Sequence, residues 1–126
     1  MAAPPWTEEE LAAWEQAAAQ LLRGLGLCPF RKGERVVCLM VAMTAAWPDQ
    51  LARGLEPFYG EAARRSGSTV GSVERLLRRG LTRLWRQGDR RLLGSWFARL
   101  KGGRCPGSAA FLTVLSRKVR QGQHRL

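Results

Sequence analysis

Isoleucine is absent from this chain of 126 residues, and cysteine and histidine are sparse. Cys28, Cys38 and Cys105 form no C-x-x-C pair, and the single histidine, His124, lies near the end of the sequence, where we expect a frayed tail. Protein metal sites need ligands at close and regular spacing. The sequence therefore predicts no metal site, and we expect no other cofactor. An odd number of cysteines without a secretory signal favours reduced, partly buried thiols.

The sequence also lacks the motifs of enzymes and of exported proteins. It has no paired-carboxylate, Ser/His/Asp or Cys/His constellation and no glycine loop of the phosphate-binding type. We therefore expect no enzymatic activity and no catalytic residues. The start, MAAPPWTEEE, lacks the basic and apolar regions of a secretory signal. The longest apolar run, residues 36–47, is too short to span a bilayer and predicts a buried helix, so we expect a cytoplasmic protein without a membrane partner.

The residues that are abundant are those typical of helices. Alanine, leucine and arginine dominate, strict apolar/polar alternation is absent, and 45% of the residues are hydrophobic. This composition predicts one all-α domain, a compact bundle of about six helices, with a further helical stretch near 49–55 whose bounds are obscured by Gly54 and Pro57. We expect Thr7 to cap the first helix, Pro57 to begin its helix, and Gly88 to end the long helix. The main helices are predicted at about 7–23, 33–46, 57–65, 90–100 and 108–120. A long helix that follows 57–65 is predicted to end at residue 87.

Residues 59–86 have the spacing of a helix-turn-helix. Ala63 is small enough to let two helices approach closely, and Gly67, four residues later, can adopt the positive φ that ends a helix abruptly. Val73 and Leu76 follow in the second helix, where they point back into the angle between the helices. This arrangement offers the first turns of the second helix to the major groove of DNA.

The second motif helix has one apolar side and one basic side. Ser68 or Thr69 would cap its start with a hydroxyl group. The apolar positions fall at helical spacing and are Val73, Leu76, Leu77, Gly80, Leu81, Leu84 and Trp85. The opposite side carries Ser72, Glu74, Arg75, Arg78, Arg79, Arg83 and Arg86. A basic, solvated surface helix is the plainer interpretation, but the preceding turn at the right offset favours DNA binding.

Charge is distributed unevenly along the chain. Residues 1–60 hold five basic and seven acidic side chains, whereas residues 61–126 hold sixteen basic and three acidic ones. The excess of positive charge therefore lies in the half that contains the motif, which indicates a polyanionic partner. A membrane surface is less favoured, because the basic helix commits its apolar side to a core.

The motif residues also carry a resemblance to a known family. Several short patterns follow one another along the chain in a fixed order. They are an L-x-x-L-G pattern and a K-G pair upstream, the V-E-R-x-x-R and W-x-x-G patterns of the motif, and aromatic positions downstream. These positions are Leu22, Leu25, Gly26, Pro29, Lys32, Gly33, Val73, Glu74, Arg75, Arg78, Trp85, Gly88, Phe97, Pro106, Phe111 and Lys118. Over residues 21–120, the chain resembles the C-terminal effector domain of the sporulation stage-zero response regulator of spore-forming Firmicutes.

The resemblance implies a six-helix DNA-binding domain that recognises a short promoter box containing TGTCGAA and regulates entry into sporulation. It places Ser72, Glu74 and Arg75 toward the bases. Ser72 stands where the family has an arginine, so we expect altered or relaxed sequence preference, because a bidentate guanine contact contributes about 1–3 kcal/mol of discrimination. Contacts to phosphate are expected from Ser68, Thr69, Arg78, Arg79, Arg83 and Lys118.

The expected organisation is an extension with the first helix at 1–20, the effector-like domain at 21–120 and a flexible tail at 121–126. Only about twenty residues precede the resemblance, so we expect the chain to lack the family's phosphate-accepting receiver domain. The helix at 7–23 is either a partner surface or part of the core, with the core favoured. The expected partner is double-stranded promoter DNA, with RNA polymerase and a second copy bound in tandem or as a homodimer left open. Two alternatives remain: a protein-interaction module that kept the fold, and a non-specific DNA binder.

Overall fold

The computed structural model describes residues 4–98 and 103–124 and contains seven helices in them. They are α1 (Glu8–Gly24), α2 (Lys32–Ala46), α3 (Pro48–Arg53), α4 (Glu56–Ser66), α5 (Val70–Gln87), α6 (Arg90–Trp96) and α7 (Ser108–His124). These two ranges contain no strand, so the prediction of a compact all-α bundle is confirmed. Across the same ranges, no helix is both long and apolar enough to cross a membrane.

Local signals in the sequence set the starts of α1 and α5 and the end of α4. Thr7 Oγ1 accepts a 3.1 Å hydrogen bond from the backbone N–H of Glu10, whose carboxylate accepts a 3.3 Å bond from the Thr7 N–H. Gly67 ends α4 in the left-handed conformation, with φ +64°. Thr69 Oγ1 then accepts a 3.1 Å bond from the Ser72 N–H at the start of α5. The predicted caps at Thr7, Gly67 and Thr69 are confirmed, because each satisfies backbone groups that a helix end leaves open.

Both Pro48 and Pro57 lie in the first turn of a helix, Pro57 one position later than the sequence predicts. Pro48 is the first residue of α3, and Gly54, with φ +140°, follows the end of that helix. Pro57 is the second residue of α4, because that helix begins at Glu56 and not at Pro57. Both positions suit proline, since the first N–H groups of a helix have no partner inside it.

The two C-terminal helices differ in length from the prediction. α6 ends at Trp96, because Phe97 leaves helical geometry and buries its ring 5.0 Å from the ring of Phe111. The predicted end of this helix near residue 100 lies outside the described residues. α7 continues past the predicted end at 120 to His124. Residues 121–124 are thus helical, which corrects the expectation of a tail from 121 onward, and 125–126 lie outside the described residues.

Gly88 follows α5 as predicted but for a different physical reason. Its φ of −70° is open to any residue, so no left-handed turn requires glycine here. A Cβ atom would instead lie 2.6 Å from the carbonyl oxygen of Leu84 and 3.0 Å from Cδ1 of Leu93. Glycine at this position lets the chain leave the end of α5 without a clash against the carbonyl oxygen of Leu84.

The core is built around α2, which contacts α1, α4, α5 and α7. The predicted buried helix within residues 36–47 is confirmed, and the apolar residues that α2 buries are Val37, Cys38, Met40, Val41, Ala42, Met43 and Ala45. Across the bundle, edge-on contacts join Trp85 of α5 to Phe97 and Phe111, at ring separations of 5.5 Å and 6.0 Å. These contacts fix α5 against the C-terminal helices and leave its opposite side exposed.

α1 is an integral part of this core. Leu11, Ala18 and Leu22 are buried, and the helix contacts α2 and α7. The predicted boundary between residues 20 and 21 falls inside this continuous helix. The apolar side of α1 packs on the chain's own core, which is the alternative that the sequence favours.

Candidate nucleic-acid interface

The first turn of α5 and the connection before it form one side of an open surface depression of about 360 Å³. Its lining residues are Thr69, Gly71, Ser72, Glu74, Arg75 and Arg78. All three predicted base-facing residues, Ser72, Glu74 and Arg75, are therefore brought together with two of the predicted phosphate contacts. The depression lies at the N-terminal end of a helix, where backbone N–H groups and the helix dipole favour anions.

A row of arginines continues from this depression along α5. A second depression, of about 450 Å³, is lined by Arg75, Arg78, Arg79, Thr82, Arg83, Arg86 and Gln87. The residues that α5 buries on its other side are Val73, Leu77, Gly80, Leu81 and Leu84. The separation of an apolar and a basic side predicted for α5 is thus present. Arg75, Arg78, Arg79 and Arg86 are exposed.

These exposed arginines have no acidic partner in the part of the chain that the structure describes. The salt bridges found there involve only Arg64, Arg65 and Arg83. The positive charge of Arg75, Arg78, Arg79 and Arg86 is consequently available to a ligand. Guanidinium groups of this kind bind phosphate and guanine through two parallel hydrogen bonds.

Arg83 differs from the other arginines of α5 because it faces a buried carboxylate. Its Nη1 lies 3.6 Å from Oε2 of Glu34 in α2, and the Glu34 side chain is only 1% exposed. The Arg83 side chain is 37% exposed, so it lies at the margin of the arginine row. The predicted phosphate contact of Arg83 therefore competes with an ion pair inside the protein.

Two predicted phosphate contacts lie away from the two depressions. Lys118 is on α7, and its ammonium group is 5.4 Å from the centre of the Trp96 ring. Ser68 is exposed in the connection between α4 and α5, where its hydroxyl shares a 2.7 Å hydrogen bond with Ser66. The predicted set of phosphate contacts thus divides into a continuous group on α5, residues at the preceding connection, and a separate lysine.

Glu74 lies on the flank of α5 that faces α4. Burial, and to a smaller degree the carboxylates of Glu74 and Glu56, raise the pKa of the Tyr59 phenol on α4. Arg78, one turn after Glu74, lowers the same pKa. Glu74 and Arg78 thus have opposite effects on Tyr59, and they place an acceptor and a donor next to each other on one side of the first depression.

Ser72 lies on the opposite flank, at the mouth of a larger groove. This groove of about 720 Å³ runs between α1, α2 and the connection before α5 and includes the exposed Phe30. Cys38 lines it too, and burial raises the pKa of this thiol to about 12. Among the described residues, no three histidine, cysteine, aspartate or glutamate side chains cluster as metal ligands would.

Sequence reasoning missed Glu34 and Thr82. Thr82 occupies the centre of the arginine row, and its helical spacing from Arg75 and Arg79 could have identified it. Glu34 gave no such signal, since a glutamate in the first turn of a helix is ordinarily solvated. Its burial depends on which helix lies over it.

The chain was compared with known proteins at three levels. No family model matches it, and no match was found among curated proteins or among solved structures. The resemblance to the sporulation effector domain therefore stays a prediction that depends on the residues themselves.

Proposed function

We propose that this protein binds double-stranded DNA as a transcriptional regulator, with α4 and α5 as a helix-turn-helix and α5 in the major groove. The single observation that carries the proposal is the composition of the exposed side of α5. Ser72, Glu74 and Arg75 share a depression at its N-terminal end, and exposed arginines extend from it. An N-terminal end with polar side chains, flanked by cations, is what a recognition helix presents to base edges and phosphates.

Electrostatics supports the same partner. Sixteen of the 21 basic residues lie in 61–126, with only three acidic residues in that half. Each arginine that contacts a phosphate would release a condensed counterion, so affinity should fall steeply with salt. A non-enzymatic role and a cytoplasmic location belong to the same proposal, as do promoter DNA as the target and descent from a sporulation-type effector domain.

Sequence preference would arise at three positions. Arg75 can donate two hydrogen bonds to O6 and N7 of a guanine, and Glu74 can accept one from the N4 amine of a cytosine. Ser72 reaches either kind of base but cannot form the bidentate contact of an arginine. The proposal is therefore a regulator whose target is related to TGTCGAA but read less strictly.

Two rival functions make different predictions about binding. A non-specific DNA binder would show salt-dependent affinity that does not distinguish sequences. A protein-interaction module that kept the fold would show no salt-dependent DNA affinity. The depression that gathers Ser72, Glu74 and Arg75 favours specific binding over both. RNA polymerase and a second copy of the chain are further partners of such a regulator, in tandem or as a homodimer.

The experiment that tests the proposal is in-vitro selection from a random duplex library with the full chain, followed by a salt titration on the enriched duplex and on a scrambled one. Enrichment of a short motif, bound more tightly than its scrambled form, is the expected result. Equal binding of both duplexes would leave a non-specific DNA binder. Absence of binding at low salt would overturn the proposal in favour of a protein-interaction role.

A further inference from the structure

Glu34 is a buried acid whose carboxylate has no hydrogen-bond partner. Its side chain is 1% exposed, and neither Oε1 nor Oε2 accepts a hydrogen bond from any described residue. Among the described residues, the guanidinium of Arg83 is the one charged group in contact with it, with Nη1 3.6 Å from Oε2. That separation exceeds a hydrogen bond, so the contact is an ion pair held by charge alone. A buried polar group without a hydrogen bond is rare enough to require an explanation.

A close contact between two glycines brings Glu34 and Arg83 together. A Cβ on Gly33 would lie 3.2 Å from the Cα of Gly80, so α2 and α5 touch backbone to backbone at this point. Glu34 follows Gly33 directly in α2, and Arg83 lies three residues after Gly80, nearly one helical turn further along α5. The two glycines thus place an acid of α2 beneath the margin of the arginine row.

Stability does not account for this pair. A carboxylate taken out of water loses hydration that its attraction to the partly exposed Arg83 only partly returns, and a well-packed apolar residue would serve the fold equally well. Removal of one partner alone is unfavourable, because the other charge is then buried without compensation. The pair therefore restricts what Arg83 can do: if Arg83 turned outward to a phosphate, the charge of Glu34 would be left alone in the protein interior.

We propose that Glu34 is a positioning residue that withholds Arg83 from DNA phosphates, so that the phosphate contacts from α5 come from Arg78, Arg79 and Arg86. The inference rests on the proposed DNA-binding function. Attraction between Arg83 and a carboxylate that is 1% exposed is weakly screened, whereas attraction to a phosphate in solvent is screened by water and salt. The negative charge of Glu34 also offsets the positive charge of Arg83 in the electrostatic field that acts on DNA. One edge of α5 is neutral as a result, and the basic strip is narrower than the sequence suggests.

The test compares the dependence of DNA affinity on salt among four variants of the full chain, on a fixed duplex. Log affinity falls as log salt concentration rises. Arg79→Gln is the matched control and should make this negative slope shallower by about 0.9, the value for one phosphate. Arg83→Gln should leave the slope unchanged. Glu34→Gln should make the slope steeper by about 0.9, because Arg83 is released. The double variant Glu34→Gln with Arg83→Gln should return the slope to the wild-type value.

Two results overturn the inference while the proposed function stands. One is a slope that becomes shallower by the same amount in Arg83→Gln as in Arg79→Gln. The other is an unchanged slope in folded Glu34→Gln. If Arg83→Gln does not fold because Glu34 is left unpaired, the comparison of Glu34→Gln with the double variant still decides, since neither leaves a buried charge without a partner. Wild-type protein without salt-dependent binding, or a slope unaffected by Arg79→Gln, would instead contradict the proposed function itself.

Discussion

Gly80 lies so close to Gly33 that α5 has no room for a side chain at the contact. A Cβ on Gly80 would be 2.6 Å from the carbonyl oxygen of Gly33 and 2.7 Å from Cγ2 of Val37. The carbonyl oxygen belongs to backbone and cannot rotate away. The position of α5, and with it the direction of the arginine row, therefore depends on the absence of a side chain at Gly80.

Gly80→Ala should destabilise the protein by about 1–3 kcal/mol, because α5 must move away from α2 to admit a methyl group. Alanine is the better helix former, so the packing effect has to exceed a gain of about 0.5–1 kcal/mol. Urea denaturation with a constant m-value measures the difference. The matched control is Gly60→Ala in α4, where a Cβ meets nothing within 4 Å; it should stabilise the protein. Equal effects of the two substitutions would show that the contact is not tight.

The sequence predicted the elements whose causes are local. Thr7 with Glu10, the glycine at 67 and Thr69 act within a few residues of the helix ends that they determine, so each could be identified from spacing. The arginine side of α5 followed from helical periodicity in the same way. The helix-turn-helix interpretation also requires the angle between α4 and α5 and the helices against which α5 packs, and spacing alone does not supply these.

What the sequence did not reveal depends on contacts between distant segments. Gly33 and Gly80 are 47 positions apart, and no local rule states that they touch. Glu34 is buried only because α5 crosses α2 next to it, so the assignment of Arg83 as a phosphate contact ignored a neighbour that periodicity cannot show.

Cys38 should be unreactive in the folded protein. Burial raises the pKa of its thiol to about 12, and the thiolate is the form that attacks alkylating and disulfide reagents. Near pH 8, the thiolate fraction is therefore far lower than for a thiol with an ordinary pKa of about 8.5. A variant with Cys28→Ser and Cys105→Ser should therefore label slowly until urea unfolds it.

The control for this labelling is the variant with Cys38→Ser and Cys105→Ser, which keeps the exposed Cys28. It should label quickly in the folded state and at a similar rate in urea. Rapid labelling of folded protein at Cys38 would contradict the prediction, because it would mean that the thiol is accessible without unfolding.

The ion pair between Glu8 and Arg65 should make stability depend on acid pH. A hydrogen bond from Arg65 lowers the pKa of Glu8 below its usual value of 4.5, and Arg65 donates to Oε2 of Glu8 over 3.0 Å. A carboxyl group with a lower pKa in the folded state stabilises the fold above its unfolded pKa and loses that contribution as the pH falls. Glu8→Gln should thus flatten the decline in stability below about pH 5.

Glu9→Gln is the matched control, because Glu9 lies in the same first turn of α1 and interacts with the same helix dipole. Thermal unfolding at several pH values, for wild type and both variants, separates the two contributions. A decline that is as steep in Glu8→Gln as in wild type would show that the pair with Arg65 does not form in solution.

Arg75→Ala should weaken binding to the selected duplex and relax preference at one base pair. The loss of a bidentate contact to guanine removes about 1–3 kcal/mol of discrimination at that pair. Affinities for the selected duplex and for its single-base variants measure the effect. Arg79→Ala should lower affinity for all of these duplexes alike, because a phosphate contact carries no sequence information. A uniform loss from Arg75→Ala would contradict its role at the bases.

Ser72→Arg should sharpen sequence preference, and it tests the family resemblance directly. It places an arginine where the resembled domain has one, at the mouth of the depression shared with Glu74 and Arg75. The Ser72 side chain accepts no hydrogen bond in the described residues, and its backbone N–H, which Thr69 caps, is retained in the variant. Discrimination against a single-base change within TGTCGAA should rise by about 1–3 kcal/mol, or roughly tenfold to a hundredfold in relative affinity. If selection with Ser72→Arg enriches the same motif as wild type, residue 72 does not face the bases, and α5 enters the groove with a different side.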